Sequence, residues 1–156
     1  MEGLWYKECD HGRRFIIKIT PGESLTMRLL QFAHLADVRN AVIVSAVGSV
    51  KNVRLRGIKT GAKLPITTPR VNIHEFEGPL ELLGLVGNIV PGEETLLDYH
   101  LHILAGKSSG EVVGGHLYSA EVFATCEIVL TELLVEGVAR HVSKIGGIPT
   151  IYISEE

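Results

Sequence analysis

The sequence contains few cysteines, and their spacing argues against a disulfide framework. The two cysteines, Cys9 and Cys126, are far apart and form no CxxC pair. Small secreted domains are usually rich in disulfides, so this pattern excludes that class and fits a reducing cytoplasm. Cys126 lies in the strongly apolar run 122–130. We therefore expect it to be buried as a small hydrophobic residue.

Long uncharged apolar runs are also missing. No stretch approaches the roughly 18 apolar residues that a membrane span requires. The N-terminus has no basic region followed by an apolar core, so we expect no signal peptide. Apolar residues still make up 46% of the 156 residues, enough for one domain with a substantial core. These features predict a soluble, cytoplasmic protein with no membrane partner.

An excess of positive charge is missing as well. Fifteen Lys and Arg residues face eighteen Asp and Glu residues, giving a net charge of −3. Proteins that bind nucleic acid usually carry a basic patch or a high isoelectric point. Basic residues cluster only at 13–14 and 51–59, where Arg54 and Arg56 lie. We interpret both clusters as solvated strand or loop positions, so charge does not support DNA as a partner.

The hydrophobic pattern predicts one helix and many strands. Ser24 is placed to cap a helix over residues 25–38, with apolar residues at helical spacing. Strands are predicted at 14–19, 41–50 with a continuation through Val53 and Leu55, 71–76, 80–90, 122–134 and 151–153. One early helix among many antiparallel strands predicts an α+β domain, in which the helix packs on the sheet.

Three histidines lie in a segment that resembles a β-hairpin. Residues 99–105 and 111–117 flank the Gly- and Ser-rich turn 106–110. A turn centred on Ser108 would place His100 opposite His116, and His102 opposite Gly114. Alternation along the strand puts His100 and His102 on one face. Opposed Cβ atoms lie about 4.5–5.5 Å apart and diagonal ones about 7–8 Å, so the three imidazoles should converge.

Three converging imidazoles predict a metal site with His100, His102 and His116 as ligands. Neutral imidazole is the commonest metal ligand. Three protein ligands and an open position are typical of catalytic zinc. Zinc is the expected ion, although nickel, copper or iron also accept imidazole. The alternative is that these are hydrogen-bonded or solvated strand histidines with no ligand role.

Two carboxylates near this pattern are weaker candidates. Asp98 shares the strand face of the histidines and could orient one of them or a bound water; the alternative is a solvated strand end. Glu127 lies in an apolar segment, so its carboxylate must be exposed, paired or ligating. No recognisable nucleophile–base pair is present, and catalytic residues are therefore not assigned. Any enzymatic activity would be metal-dependent hydrolysis.

Several segments, taken in order, resemble the plant-and-prokaryote-conserved (PPC) domain in its stand-alone prokaryotic form. The matching residues are 46–50, 53–55, 76–83, 87–89, 100–102, 114–117 and 122–130. The likeness runs from about 13 to 134. It divides the chain into an N-terminal segment 1–12, a PPC-like domain 13–135 and a C-terminal extension 136–156. The resemblance implies a compact α+β domain that assembles as a homotrimer.

The resemblance leaves two functions open, and a third follows if the histidines are structural. Plant members carry AT-hook motifs of the Arg-Gly-Arg-Pro type before the domain, and residues 54–57 are the nearest and do not match. The first hypothesis is a trimeric metal-binding protein with a small-molecule ligand at the metal. The second is a DNA-associated regulator that uses Arg54, Arg56 and Lys59. The third is a protein-interaction scaffold that is indifferent to chelators.

Overall fold

A computed structural model describes residues 3–153, which form a largely antiparallel sheet with one α-helix. The predicted α+β class is confirmed. The strands are β1 (Asp10–Ile19), β2 (Ala41–Ile58), β3 (Val71–Phe76), β4 (Leu80–Pro91), β5 (Leu97–Gly106), β6 (Val112–Leu134), β7 (Val138–Val142) and β8 (Pro149–Ile153). Helix α1 spans Leu25–Leu35, and 3-10 turns lie at Thr68–Arg70 and Glu93–Thr95. No helix in this part of the chain has the length and apolar character of a membrane span.

The main sheet closes on itself. Its strand order is β1-β6-β5-β4-β2-β3, and β2 also pairs with β6, so β2, β4, β5 and β6 form a continuous ring. Strand β1 extends the ring from β6, and β3 extends it from β2. The buried core includes Leu85, Leu101 and Leu117 from three of the ring strands. Side chains at alternate positions of these strands therefore face outward.

The ring closes because its two long strands bend at register shifts and at glycines. Strand β2 has several register shifts against β6, and such bulges bend a strand. Gly48 has a φ of 153°, and a Cβ at this position would lie 2.0 Å from the carbonyl oxygen of Thr125. Only glycine permits that approach of the two backbones.

Helix α1 begins where the sequence predicts. The hydroxyl of Ser24 accepts a hydrogen bond from the amide of Met27 at 3.4 Å. Leu25, Leu29 and Ala33 are buried, and the helix packs against β5 and β6. It ends before the predicted Val38 because Asp37 adopts a φ of 52°, a left-handed conformation that terminates helices.

Two strand predictions need correction, and one strand was missed. The separately predicted hairpin arm 111–117 and strand 122–134 are one continuous 23-residue strand, β6. The first strand begins at Asp10 and not at residue 14, so it includes part of the predicted N-terminal segment. The predicted strand at 151–153 is found as β8, but its antiparallel partner β7 was missed. Together β7 and β8 form a second, two-stranded sheet, and β7 contacts β4.

Candidate metal centre

The three predicted histidines meet on the outward face of the ring. His100 and His102 lie on β5, between core residues such as Leu101 and Ile103 that point inward. His116 lies on the neighbouring strand β6, directly opposite His102. His100 and His116 are partly buried, whereas His102 is exposed. The predicted convergence of the three imidazoles is therefore confirmed.

The predicted pairing within the hairpin was wrong by two residues. His116 pairs with His102 and not with His100, and Gly114 pairs with Leu104 and not with His102. The turn causes this difference: Gly106 pairs with Val112, and the amide of Lys107 donates to the carbonyl of Glu111 at 2.8 Å. The centre is thus residue 109 and not 108. Because side chains alternate with a period of two, a shift of two residues keeps all three histidines on one face.

Strand β4 supports His100 from the other side. Gly87 has a φ of 138°, and a Cβ there would lie 1.9 Å from the carbonyl oxygen of His100. A side chain at Gly87 would therefore push β5 away from β4. The close approach of the two backbones fixes the position of His100 relative to the ring.

The imidazole nitrogens are close enough for one ion. The Nε2 atoms of His100 and His102 are 3.2 Å apart, and potential donor atoms of all three residues lie within 4.8 Å of one another. Ring centroids are 5.0–5.5 Å apart. An ion about 2.0–2.1 Å from each nitrogen needs donors within about 4 Å of one another, so small side-chain rotations suffice.

Burial keeps two of the three histidines, His100 and His116, neutral. Burial, with a smaller contribution from the charges of His100, His102, Arg56 and Arg140, lowers the pKa of His116 to about 4. Burial also lowers the pKa of His100, with Arg140 and His102 contributing and Asp98 opposing. These two imidazoles are therefore unprotonated at neutral pH, which is the form that binds a metal.

A buried arginine lies beside the histidines. The side chain of Arg140, on β7, is only 2% exposed. Its Nη2 donates to Oδ1 of Asn88 at 2.5 Å, and its Nε lies 3.2 Å from Oδ2 of Asp98 without hydrogen-bond alignment. Burial lowers the pKa of Arg140, and Asp98 opposes that effect. The ion pair with Asp98 compensates the buried charge in part.

The structure gives Asp98 a different partner from the one predicted. Its Oδ1 accepts a hydrogen bond from the amide of Tyr99, and its Oδ2 faces Arg140 and not a histidine. Sequence reasoning missed both Arg140 and Asn88. Asn88 pairs in register with His100, but the pairing of β4 with β5 was not assigned from the sequence. The only signal for Arg140 was a basic residue in the stretch 138–142, where three of the five residues are apolar.

Arginines also lie on the other side of the cluster. Arg56, on β2, pairs in register with His116 and is exposed. The guanidinium carbons of Arg56 and Arg54 lie 4.8 and 5.2 Å from the ring centroid of Tyr118. Arg54 also forms an ion pair with Glu75 at 2.8 Å. Of the two β2 arginines, Arg56 is therefore the one that lies beside His116.

Two of the three residues named for DNA contact have partners within the chain. Besides the pair of Arg54 with Glu75, Nζ of Lys59 donates to the carbonyl of Pro69 at 2.8 Å. DNA binding stays a prediction.

Glu127 is exposed and lies eleven residues beyond His116 on β6, paired in register with Lys18 and Val47. Within residues 3–153, the group of His, Cys, Asp and Glu side chains that could hold a metal consists of His100, His102 and His116. Glu127 is not part of that group.

The comparison with protein families finds one match over most of the chain. The model of the Plants and Prokaryotes Conserved (PCC) domain matches residues 6–134. The match ends before β7, so Arg140 lies outside the matched region.

Solved structures share this fold. The metal-containing protein of Archaeoglobus fulgidus is 30% identical with a TM-score of 0.80, over 93% of this chain and 96% of that one. The plant- and prokaryote-conserved protein of Pyrococcus horikoshii is 26% identical with a TM-score of 0.78, over 90% of this chain and 92% of that one.

A bifunctional protein GlmU of Synechococcus is 28% identical over 78% of this chain, and the chain spans only 17% of the length of that relative.

Proposed function

Because the chain belongs to the Plants and Prokaryotes Conserved (PCC) domain family and brings three histidines together, we propose that it binds one divalent transition-metal ion. The ligands are His100, His102 and His116. The observation that carries this proposal is the approach of three imidazole nitrogens within 4.8 Å on adjacent strands. Unpartnered imidazoles on a sheet face have no need to converge, whereas metal ligands do.

Two further observations support the proposal. Burial lowers the pKa values of His100 and His116, so neither must lose a proton to bind an ion at pH 7. The similar Archaeoglobus protein is described as metal-containing.

Zinc is the ion we propose, since three histidine nitrogens and no thiolate match the usual open zinc site. When bound, such an ion supplies a Lewis acid that polarises an oxygen or activates water. The site lies on an exposed face, where a small molecule has access.

The first experiment measures the metal content of the tag-free protein by inductively coupled plasma mass spectrometry. The wild type is expected to hold about one transition-metal ion per chain. The His100→Ala/His102→Ala variant is expected to hold none. His74→Ala is the matched control, because His74 is an exposed histidine of β3 outside the cluster, and it should retain the metal. A wild type that stays empty after incubation with zinc, nickel and iron would refute the proposal.

We also propose that the protein is a homotrimer, as the family resemblance implies. Ile16 of β1 and Val47 of β2 lie on two of the strands that pair with β6, and these residues are 88% and 60% exposed. Exposed apolar residues on a sheet face are typical of subunit contacts. Sedimentation equilibrium should give three times the 17.0 kDa chain mass. Ile16→Arg/Val47→Glu should give a folded monomer, and a monomeric wild type would contradict the proposal.

A further inference from the structure

The charge around the histidines is unbalanced. Arg56 approaches from β2 and Arg140 from β7, and the charges of both lower the pKa of His116. The carboxylate beside them is that of Asp98, which is paired with Arg140. With neutral imidazoles and a divalent ion, the immediate site would carry a formal charge of about +3, counting two arginines, one carboxylate and the ion.

Arg140 provides a fixed part of this charge. Its side chain is 98% buried and is held by Asn88 and Asp98. Burial of a guanidinium is costly unless the charge is compensated. Asp98 compensates it in part, but Asp98 is itself 46% exposed, and Nε of Arg140 has no aligned acceptor. An anion at the histidines would complete the compensation.

Arg56 provides an exposed part of this charge. It is exposed, pairs in register with His116, and rests on the ring of Tyr118 without an ion-pair partner among those found for the described residues. The neighbouring Arg54 rests on the same ring but is paired with Glu75. A cation–π contact at an exposed site is worth about 0.5–1 kcal/mol, so Arg56 can leave the ring for a stronger charged partner.

We propose that Arg56 and Arg140 make the metal centre a receptor for a small oxyanion, a carboxylate or a phosphate, that binds beside the ion. This inference rests on the proposed metal site and names its ligand class. Arg56 contacts the anion and determines specificity. Arg140 acts through its fixed charge and through the position of Asp98. Because Arg140 lies on β7, a segment beyond the family match contributes to ligand selection.

The test uses the full chain loaded with cobalt(II), whose visible spectrum responds to a new ligand. Acetate, inorganic phosphate and imidazole are titrated separately at pH 8 and constant ionic strength. Imidazole is the uncharged control, since it binds an open metal position without help from an arginine. The acetate and phosphate arms distinguish the two sources of an oxyanion.

Arg56→Gln should weaken the binding of the preferred anion about tenfold or more, as expected for loss of a charge-assisted hydrogen bond. Imidazole affinity should stay within twofold. Arg54→Gln, the matched control, removes the same charge from the same aromatic ring and should change anion affinity less than twofold. Arg140→Gln should also weaken the anion and spare imidazole, with thermal unfolding as the check on its fold. Arg56→Gln keeps the test valid if Arg140→Gln does not fold.

The outcomes separate the two proposals. A cobalt spectrum with equal anion affinity in wild type and Arg56→Gln would overturn the oxyanion receptor and leave the metal site intact. Parallel losses of anion and imidazole affinity would also overturn it, because the arginine would then affect metal coordination and not charge recognition. A wild type that gives no cobalt spectrum would refute the metal site, and the receptor with it.

Discussion

Replacing His116 with glutamine should remove a large part of the acid sensitivity of the metal-free protein. The pKa of His116 in the folded chain is about 4 because of burial, against 6.5 for a free histidine. Protonation is therefore easier in the unfolded chain. The contribution of the neutral His116 to stability is therefore complete above pH 6.5 and is lost as the pH falls from 6.5 to about 4.

The magnitude follows from this difference. Each pKa unit between the folded and unfolded states corresponds to about 1.36 kcal/mol, so the whole difference gives an upper limit of about 3 kcal/mol. The imidazole is partly exposed, and its protonation depends on that of the two neighbouring histidines. We therefore expect a loss of stability of about 2 kcal/mol.

The assay is urea unfolding in EDTA at intervals between pH 7 and pH 4, followed by circular dichroism. Wild type should lose about 2 kcal/mol more than His116→Gln over this range. His74→Gln removes an exposed histidine elsewhere and should follow the wild type. If His116→Gln and wild type have the same pH dependence, burial of this imidazole is not the cause of the acid sensitivity.

Three further predictions concern other parts of the chain. Gly87→Ala places a Cβ 1.9 Å from the carbonyl oxygen of His100. This substitution should lower the free energy of unfolding in urea by about 3 kcal/mol or more and reduce the metal content. Unchanged stability would contradict the close approach of the two strands. Arg13 holds the pKa of the Glu132 carboxyl at about 2, so Glu132→Gln should unfold at a lower urea concentration than wild type at pH 7. The difference in stability should fade as the pH falls from 4.5 towards 2. A difference that does not depend on pH would argue against the ion pair. Burial raises the pKa of Cys126 to about 11, while Cys9 is exposed. A disulfide reagent at pH 8 should therefore modify one thiol in the native protein and two thiols in urea. Rapid modification of both thiols in the native protein would contradict the buried position of Cys126.

The sheet face that carries the histidine cluster was predictable from the sequence, but the exact strand pairing at the cluster was not. Alternation along 100–102 and the glycine-rich turn are local features, and they placed three histidines on one side of a hairpin. The register depends on the turn, where Gly110 adopts a φ of 86° and the Lys107–Glu111 bond closes the loop. An error of two residues preserves the face, which explains why the cluster was found despite the wrong pairing.

Residues from distant segments were beyond prediction. Arg56 reaches the histidines through the pairing of β2 with β6, and Arg140 reaches them because β7 packs against β4. Neither arrangement has a local sequence pattern. Similarly, Ser24 and the apolar helix positions predicted α1, whereas its last turn depended on the left-handed Asp37. Local signals thus determine elements and faces, and long-range pairing determines which of them meet.

The closed ring has a consequence for how the protein would acquire and release the proposed ion. At the histidines, β5 is hydrogen-bonded to β4 on one side and β6 on the other, and β6 is bonded to β5 and β2. The three histidines are thus positioned by backbone hydrogen bonds in which their imidazoles take no part. In small zinc domains the free energy of metal binding drives folding, and the domain unfolds when the metal is removed. In this ring the binding energy of the proposed ion would not be needed for folding and would be available for affinity, so metal loading and removal would be reversible exchange at the surface of a folded chain.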